Sequence, residues 1–242
     1  MTNAVTELSV FFPAHNEAAN LAPTVHSALT MLDSLSLRGY EIIIVDDGST
    51  DGTRSIADRL TERHASVRVV HHDRNRGYGA ALKSGLAAAR LDWIFYSDSD
   101  CQFDLTEIEL LLPHTGEFDA VIGYRSRRSE GAMRQINQFL WKALVRMMLR
   151  LDVRDVDCAF KLLRRSSVER VGPLVSDGAV ISAELLVKLQ RSRARIEQIP
   201  VTHHPRPAGR PSGGSPRVIA RAFRELFRLR RRLRARNADV RR

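Results

Sequence analysis

The chain has 242 residues and a mass of 27.3 kDa, a size typical of one α/β domain with an appendage. Hydrophobic residues make up 43% of it and charged residues 27%, so it can build a substantial core and lacks the composition of a disordered protein. We expect neither a membrane-spanning helix nor a signal peptide, because no apolar run is long enough and no basic segment precedes one. Two cysteines 57 positions apart give no disulfide framework and no CxxC metal motif, which favours a soluble protein of a reducing compartment.

The net charge of +10 belongs almost entirely to the C-terminal segment 217–242. That segment carries eleven arginines and two acids, a net charge of +9, which leaves about +1 for the first 216 residues. The charge therefore describes what the tail contacts, not the chemistry of the body. Nucleic-acid binding is disfavoured, because the nearly neutral body shows no basic pattern with interleaved aromatic residues.

Short apolar runs alternate with segments of helical spacing along the first hundred residues. This alternation predicts an α/β fold with a central, mostly parallel sheet flanked by helices on both faces. A fully apolar run such as EIIIV fits a strand that is buried on both sides. The predicted strands are 8–14, 41–45, 67–71, 92–97, 119–123, 160–163 and 196–203, and the predicted helices are 20–35, 53–64, 77–90, 133–151 and 181–191.

Polar residues cluster directly after three of the predicted strands, at 15–17, 46–47 and 98–100. In open parallel sheets, ligands bind in the crevice outside the carboxyl ends of the strands. We therefore expect these three clusters to converge on one site.

The strongest chemical signal is the alternation of Asp98, Asp100 and Gln102 after a buried strand. In extended backbone alternate residues share a face, so all three side chains are predicted to point into the crevice. Carboxylate and amide oxygens suit Mg²⁺ or Mn²⁺, which commonly keep coordination places for substrate phosphates. The alternative is an acidic loop that only caps a helix beginning near Asp104.

Other motifs carry weaker signals. The segment 77–84 (GYGAALKS) matches neither a P-loop nor a dinucleotide fingerprint, and it predicts a helix N-terminus that can approach a ligand closely. The histidine pairs 71–72 and 203–204 lack metal-ligand spacing and are interpreted as structural or surface residues. Nucleophilic hydrolase chemistry has no support, because no GxSxG elbow is present.

Four motifs in this order, FFPAHNEAANL, EIIIVDDGSTDGT, NRGYGAALKSGL and DSDCQFD, resemble family 2 glycosyltransferases of the GT-A fold. Within that family the chain is most similar to the dolichol- or polyprenyl-phosphate mannosyl- and glucosyltransferases, over about residues 8–212. The resemblance implies inverting transfer of a sugar from a GDP- or UDP-linked donor to a polyprenyl phosphate, with Mg²⁺ or Mn²⁺. One departure is Ala159, which stands where the family usually has glycine.

The resemblance also assigns site residues. For the donor nucleotide they are Pro13, His15, Glu17, Asp46, Asp47 and Asp98, and for the metal Asp98, Asp100 and Gln102. For the acceptor phosphate they are Arg125, Arg134, Arg206 and Ser212, with Asp100, Arg125 and Arg206 expected to be catalytic.

A phosphate acceptor is already an anion near neutral pH, so it can attack the sugar without a general base. The tasks left to the protein are positioning, clamping the acceptor with arginine and neutralising the leaving diphosphate. A saccharide or another hydroxyl acceptor, which would require a carboxylate base, is the alternative.

The sequence divides into a catalytic domain (1–204), a Pro/Gly-rich loop on the acceptor side (205–216) and a basic amphipathic helix (217–242). On that helix Val218, Ala222, Leu226, Leu229 and Leu233 form one apolar stripe with Phe223 and Phe227 beside it. Such a helix is predicted to lie on an anionic membrane surface, so we expect a cytoplasmic protein, peripheral on the inner face of the plasma membrane. The alternative is a helix that packs on the body with its charges in water.

Two other classes of function are alternatives: a nucleotide-sugar-binding or scaffolding protein without turnover, and an RNA-binding protein that uses the tail. The sequence leaves open the sugar, the choice between GDP and UDP, and whether a second copy or a membrane protein is a partner.

Overall fold

The computed structural model describes residues 5–126, 144–208 and 223–233. Two predicted acceptor residues, Arg134 and Ser212, lie outside these ranges, as do Val218 and Ala222 of the predicted tail stripe and most of the helix predicted at 133–151.

Within the described residues, one sheet of seven strands forms the centre of the molecule, in the order β3-β2-β1-β4-β6-β5-β7. All neighbouring pairs are parallel except the two that involve β6, so the prediction of a mostly parallel sheet is confirmed. The strands are β1 (Glu7–Ala14), β2 (Gly39–Asp46), β3 (Val67–His71), β4 (Trp93–Ser97), β5 (Ala120–Arg125), β6 (Phe160–Arg164) and β7 (Ile196–Val201).

Helices connect and flank the strands. They are α1 (Leu21–Ser34), α2 (Thr53–Arg63), α3 (Tyr78–Ala88), the single turn α4 (Ile108–Leu111), α5 (144–149), α6 (Arg165–Arg170), α7 (Ile181–Arg191) and α8 (223–233), with 3₁₀ turns at Leu105–Glu107 and Leu112–Gly116. None of the described helices combines the length and the hydropathy needed to cross a bilayer.

The central strands are buried on both faces, as their apolar sequences predict. Residues 42–46 of β2 and all five residues of β4 are buried, and the aromatic side chains of Phe11, Trp93 and Phe95 are inaccessible to solvent. Because helices cover the sheet, alternation of polar and apolar residues is not needed in these strands.

The strand order places a topological switch point between β1 and β4. From β1 the chain moves outward through β2 and β3, and it then returns to the other side of β1 as β4. The connections on the two sides diverge here, so a crevice opens at the carboxyl ends of β1 and β4. Two of the predicted polar clusters follow these two strands directly.

Gly85 allows α3 to pack against β1. A β-carbon at Gly85 would lie 2.2 Å from Cδ2 of Phe11, which is fully buried. We expect Gly85→Ala to lower the free energy of unfolding by about 1–3 kcal/mol through overpacking, although alanine favours a helix. Gly116→Ala is the matched control, because a β-carbon there meets nothing within 4 Å. Equal denaturation midpoints for the two variants would contradict this account.

Helix α8 packs on the body through the leucine stripe that was predicted to face a membrane. Leu226, Leu229 and Leu233 are 0%, 3% and 5% exposed, so the membrane assignment of these three leucines is wrong and the packed alternative holds for them. The Nη1 of Arg191 donates to the carbonyl of Leu233 at 2.8 Å, and the backbone N–H of Gly178 donates to Glu225 at 3.2 Å. Because docking removes three leucine side chains from water, the docked helix is more stable than an undocked one.

Candidate active site

The carboxyl ends of β1, β2 and β4 meet at the switch point, as the sequence predicts. The backbone N–H of Asp47 donates to the carbonyl of Ala14 at 2.8 Å. The hydroxyl of Ser99 donates to the carbonyl of Pro13 at 2.8 Å, and Pro13 itself is buried within β1. The three polar clusters therefore border one crevice, which we call the switch-point site.

The segment that carries Asp98 and Asp100 is not extended. Strand β4 ends at Ser97, the chain then bends, and Cys101 has a φ of 58° in the left-handed region. The expectation that three alternate side chains share one face through strand geometry is therefore wrong. The amide nitrogen of Gln102 donates to the carbonyl of His204 at 2.9 Å, so this side chain is directed to the segment after β7.

Asp98 is the most strongly perturbed carboxyl group of the site. Burial raises its pKa to about 7, with a further contribution from the negative charge of Asp100, while Arg125 and Lys161 oppose the shift. The hydroxyl of Tyr78, the first residue of α3, also faces it and stabilises the charged form. A half-buried carboxylate in this setting favours a nearby cation.

Asp100 shares this electrostatic setting. Burial raises the pKa of its carboxyl group, although the backbone N–H of Gln102, at 3.2 Å from Oδ1, and the guanidinium of Arg206 lower it. Its other oxygen, Oδ2, lies 3.4 Å from Nη1 of Arg206. The structure thus brings a predicted metal ligand and a predicted acceptor residue into contact.

Arg206 joins two of the predicted donor clusters. Its Nη2 forms an ion pair with Oε1 of Glu17, which follows β1, while its Nη1 is near Asp100, which follows β4. Its Nε donates to the carbonyl of Ala208 at 2.7 Å. Two carboxylates that each lie more than 100 positions before Arg206 in the chain therefore hold its guanidinium.

The carboxylates after β2 are bound by protein groups. Asp46 is inaccessible and accepts from the backbone N–H of Ser49 at 3.0 Å and from Nδ1 of His71 at 2.9 Å. Burial raises the pKa of Asp46, but the bonds from Ser49 and His71 outweigh it, so the pKa is lowered and the group is charged.

Asp47 fixes the loop before α3. Its Oδ1 lies 2.6 Å from Nδ1 of His72 and accepts from the backbone N–H of Arg76 at 2.9 Å, and its Oδ2 accepts from the N–H of Gly77 at 2.8 Å. Nδ1 of His15, a half-buried residue, lies 3.0 Å from the carbonyl oxygen of Asp47. The nucleotide-binding roles of Asp46, Asp47 and His15 stay predictions, and the structure adds an anchoring role for both aspartates.

Arg125, the last residue of β5, is held by the buried carboxylate of Asp155. Its Nε and Nη2 donate to the two oxygens of Asp155 at 2.8 and 3.0 Å, a bidentate pair. Burial lowers the pKa of Arg125, but Asp155 outweighs it and the net shift is upward, so the guanidinium keeps its charge. The fully buried Nζ of Lys161 donates to the carbonyls of Val156 and Cys158 and so supports the loop that carries Asp155.

Protein groups at the site can supply only some of the ligands that a divalent cation needs. In the portions of the chain that the structure describes, no three His, Cys, Asp or Glu side chains are grouped so as to hold a metal ion. Asp98 and Asp100 still fit a divalent cation, because both carboxylates are at least partly buried at one crevice and carboxylate oxygens are ligands that Mg²⁺ and Mn²⁺ prefer. Phosphate oxygens of a bound substrate would complete the shell, as is usual for Mg²⁺.

Sequence reasoning missed three contributors: Tyr78, Asp155 and Lys161. Tyr78 lies in the GYG segment. The sequence predicts that this segment approaches a ligand closely, but it assigns no role to the tyrosine itself. Asp155 and Lys161 lie in the segment DVDCAFK, and a lysine among the apolar residues of the predicted strand 160–163 was an available signal of a buried functional group.

The fold of the chain agrees with that of known proteins. The family model described as Glycosyl transferase family 2 matches residues 9–172, more than half of the chain. The chain is similar to glucosyl-3-phosphoglycerate synthase from Mycobacterium tuberculosis, whose crystal structure with Mn²⁺, uridine diphosphate and phosphoglyceric acid superposes with a TM-score of 0.65 at 22% identity, covering 91% of this chain and 78% of that one. The fold is therefore of the GT-A type, and the chain belongs to glycosyl transferase family 2.

Curated relatives extend the likeness to the sequence. Glycosyltransferase AglD of Haloferax volcanii is 35% identical over 213 residues, which cover 85% of this chain and 34% of AglD. Dodecaprenyl-phosphate galacturonate synthase of Rhizobium johnstonii is 31% identical, covering 91% of this chain and 64% of the relative. Human dolichyl-phosphate beta-glucosyltransferase is 28% identical, covering 81% and 66%. The chain thus spans between a third and two thirds of these relatives, and the resemblance drawn from the motifs is confirmed.

Proposed function

We propose that the protein transfers a sugar, with inversion, from a GDP- or UDP-linked donor to a polyprenyl phosphate. The observation that carries this proposal is the switch-point site itself, where the carboxylates of Asp98 and Asp100 lie among the arginines Arg125 and Arg206. Two relatives are named for dodecaprenyl-phosphate and dolichyl-phosphate substrates, which supports a lipid phosphate as the acceptor.

The donor side is built from the clusters after β1, β2 and β4. Asp46 and Asp47 keep the loops rigid through their bonds to Ser49, Arg76 and Gly77, so a base and ribose would meet a preformed surface. Asp98 and Asp100 would hold Mg²⁺ or Mn²⁺, which would neutralise the charge that develops on the leaving diphosphate.

The acceptor side depends on arginine. Arg125 keeps its guanidinium charged and oriented by Asp155, and donors of that fork not used by Asp155 can bind phosphate oxygens. Because the acceptor phosphate is already ionised, positioning by Arg125 and Arg206 replaces the general base that a hydroxyl acceptor requires.

The first test is thermal stability with Mn²⁺ or Mg²⁺, alone and with GDP or UDP, repeated with a chelator. A metal-dependent rise in Tm with one nucleotide is expected, because ligands that bind only the folded state stabilise it by mass action. The same nucleotide-sugar is then supplied with polyprenyl phosphate or with free saccharides, and labelled product is counted. Labelled saccharide without labelled lipid would instead establish the hydroxyl acceptor, and no shift with either nucleotide would contradict a donor site.

We further propose that the outer face of α8 contacts anionic lipid on the inner face of the plasma membrane. Phe227 is 59% exposed, Phe223 lies one turn before it, and Arg228, Arg231 and Arg232 are exposed around them. Aromatic side chains among arginines suit the boundary between headgroups and acyl chains. The carboxylate of Glu225 accepts a hydrogen bond from the backbone N–H of Gly178. The neighbouring residue, Asp177, accepts through its carbonyl from the N–H of Gly79 in α3, so these bonds anchor α8 beside the donor side.

Phe227→Asp should weaken sedimentation with anionic vesicles by about tenfold, because it places a charge where an apolar ring would be buried. Leu110→Asp is the control, since this residue is also exposed but lies far from α8 in sequence. Vesicle binding by both variants equal to that of the parent protein would refute a membrane role for α8. The domain boundaries at 204 and 216 remain part of this proposal.

A further inference from the structure

Residues 202–208, which we call the strap, cross the switch-point site. The backbone N–H of His204 donates to the carbonyl of Gln102 at 2.7 Å, and the amide of Gln102 returns a bond to the carbonyl of His204 at 2.9 Å. At the other end, Nδ2 of Asn20 donates to the carbonyl of Ala208 at 3.2 Å. The strap is therefore fixed to both sides of the crevice.

The strap places the guanidinium of Arg206 between two carboxylates. Glu17 and Asp100 each have side chains that are 12% exposed, and that of Arg206 is 19% exposed. Glu17 is itself held by Nδ2 of Asn20 at 2.8 Å, so Asn20 orients both the strap and one of its partners. Three largely buried charged groups thus form one compact cluster.

Arg206 offsets the negative charge of Asp100. Burial makes the negative charge of Asp100 costly, and the guanidinium of Arg206, with Nη1 at 3.4 Å from Oδ2, offsets that cost. A divalent cation that binds Asp100 needs the same oxygens and repels a guanidinium placed 3.4 Å from Oδ2.

We propose that Arg206 is the counter-ion of the donor-free site and competes with the divalent cation for Asp100. Arg206 then keeps the affinity for metal low until a nucleoside diphosphate arrives, whose negative charge draws the guanidinium away from Asp100. Metal and donor therefore enter together, and Gln102 acts as a positioning residue for the strap. This inference rests on the metal site of the proposed function.

The test is the affinity of the full chain for Mn²⁺ alone, measured by electron paramagnetic resonance without nucleotide. Arg206→Ala and Arg206→Gln should each bind Mn²⁺ about three- to tenfold more tightly than the parent protein, since a competing charge has been removed. The glutamine variant keeps hydrogen-bonding groups and removes only the charge, so it guards against a strap that is merely loosened. Arg59→Ala, at an exposed position on α2, controls for the loss of one positive charge.

Adding GDP or UDP should tighten Mn²⁺ binding more in the parent protein than in the Arg206 variants, because only the parent has a competitor to displace. Arg206 variants that bind Mn²⁺ no more tightly than Arg59→Ala would overturn the competition. Asp100→Asn separates the two ideas. If it leaves Mn²⁺ binding unchanged, the metal site of the proposed function fails; if it weakens binding while the Arg206 variants gain nothing, only the counter-ion role fails.

Discussion

Asp100→Asn should reduce sugar transfer by about 10²- to 10³-fold while leaving the fold intact. The substitution removes one of two negative charges that would hold the cation on the leaving diphosphate, and electrostatic stabilisation of this kind commonly has effects of that size. Because burial already raises the pKa of Asp100, a neutral asparagine costs the folded state little. Turnover with saturating nucleotide-sugar and polyprenyl phosphate is the measurement.

Asp104→Asn is the matched control for this loss. Asp104 lies four residues further along the same loop, is exposed, and accepts from Thr106 in a cap that asparagine can also form. Its variant should keep nearly full turnover. If both variants kept full turnover, Asp100 would have no part in the chemistry, and its proposed role in holding the metal would fail.

Asp155→Ala should have the largest effect on stability among single changes at the site. It leaves the charged Arg125 without its bidentate partner in a largely buried position, which typically costs about 3–5 kcal/mol. Denaturant midpoints and Tm measure the loss. Turnover should fall as well, since the guanidinium that clamps the acceptor is no longer held in one orientation.

The control compares a buried with an exposed ion pair. Asp152 pairs with Arg146 at 3.4 Å, but its side chain is 94% exposed, so Asp152→Ala should change stability by less than about 1 kcal/mol. The double variant Asp155→Leu with Arg125→Met should recover part of the lost stability because both buried charges are gone, yet it should stay inactive. A single Asp155→Ala variant as stable as Asp152→Ala would show that Arg125 finds solvent or another partner.

The sequence by itself determined the class of fold and the edge of the sheet at which the site lies. Apolar runs such as 42–45 must be strands buried on both sides, and alternation with helices makes a sheet mostly parallel, so the clusters 15–17, 46–47 and 98–100 had to meet. The spacing of apolar residues and the order of the segments along the chain carry this information, because both can be read directly from the sequence. The resemblance of four ordered motifs to glycosyltransferases added the family.

Other features depended on contacts between distant segments, which no local pattern encodes. The reversal of β6 and the pairing of Arg206 with Glu17 and Asp100 are set by how the second half of the chain packs on the first. Helix α8 shows the same limit. Its amphipathic pattern predicts a buried face, but a leucine stripe loses water equally on a membrane or on a protein surface. Only the tertiary structure decided between them, because the body offers an apolar surface that fits those leucines and two N–H donors, the guanidinium of Arg191 and the backbone of Gly178, that fix the helix in place.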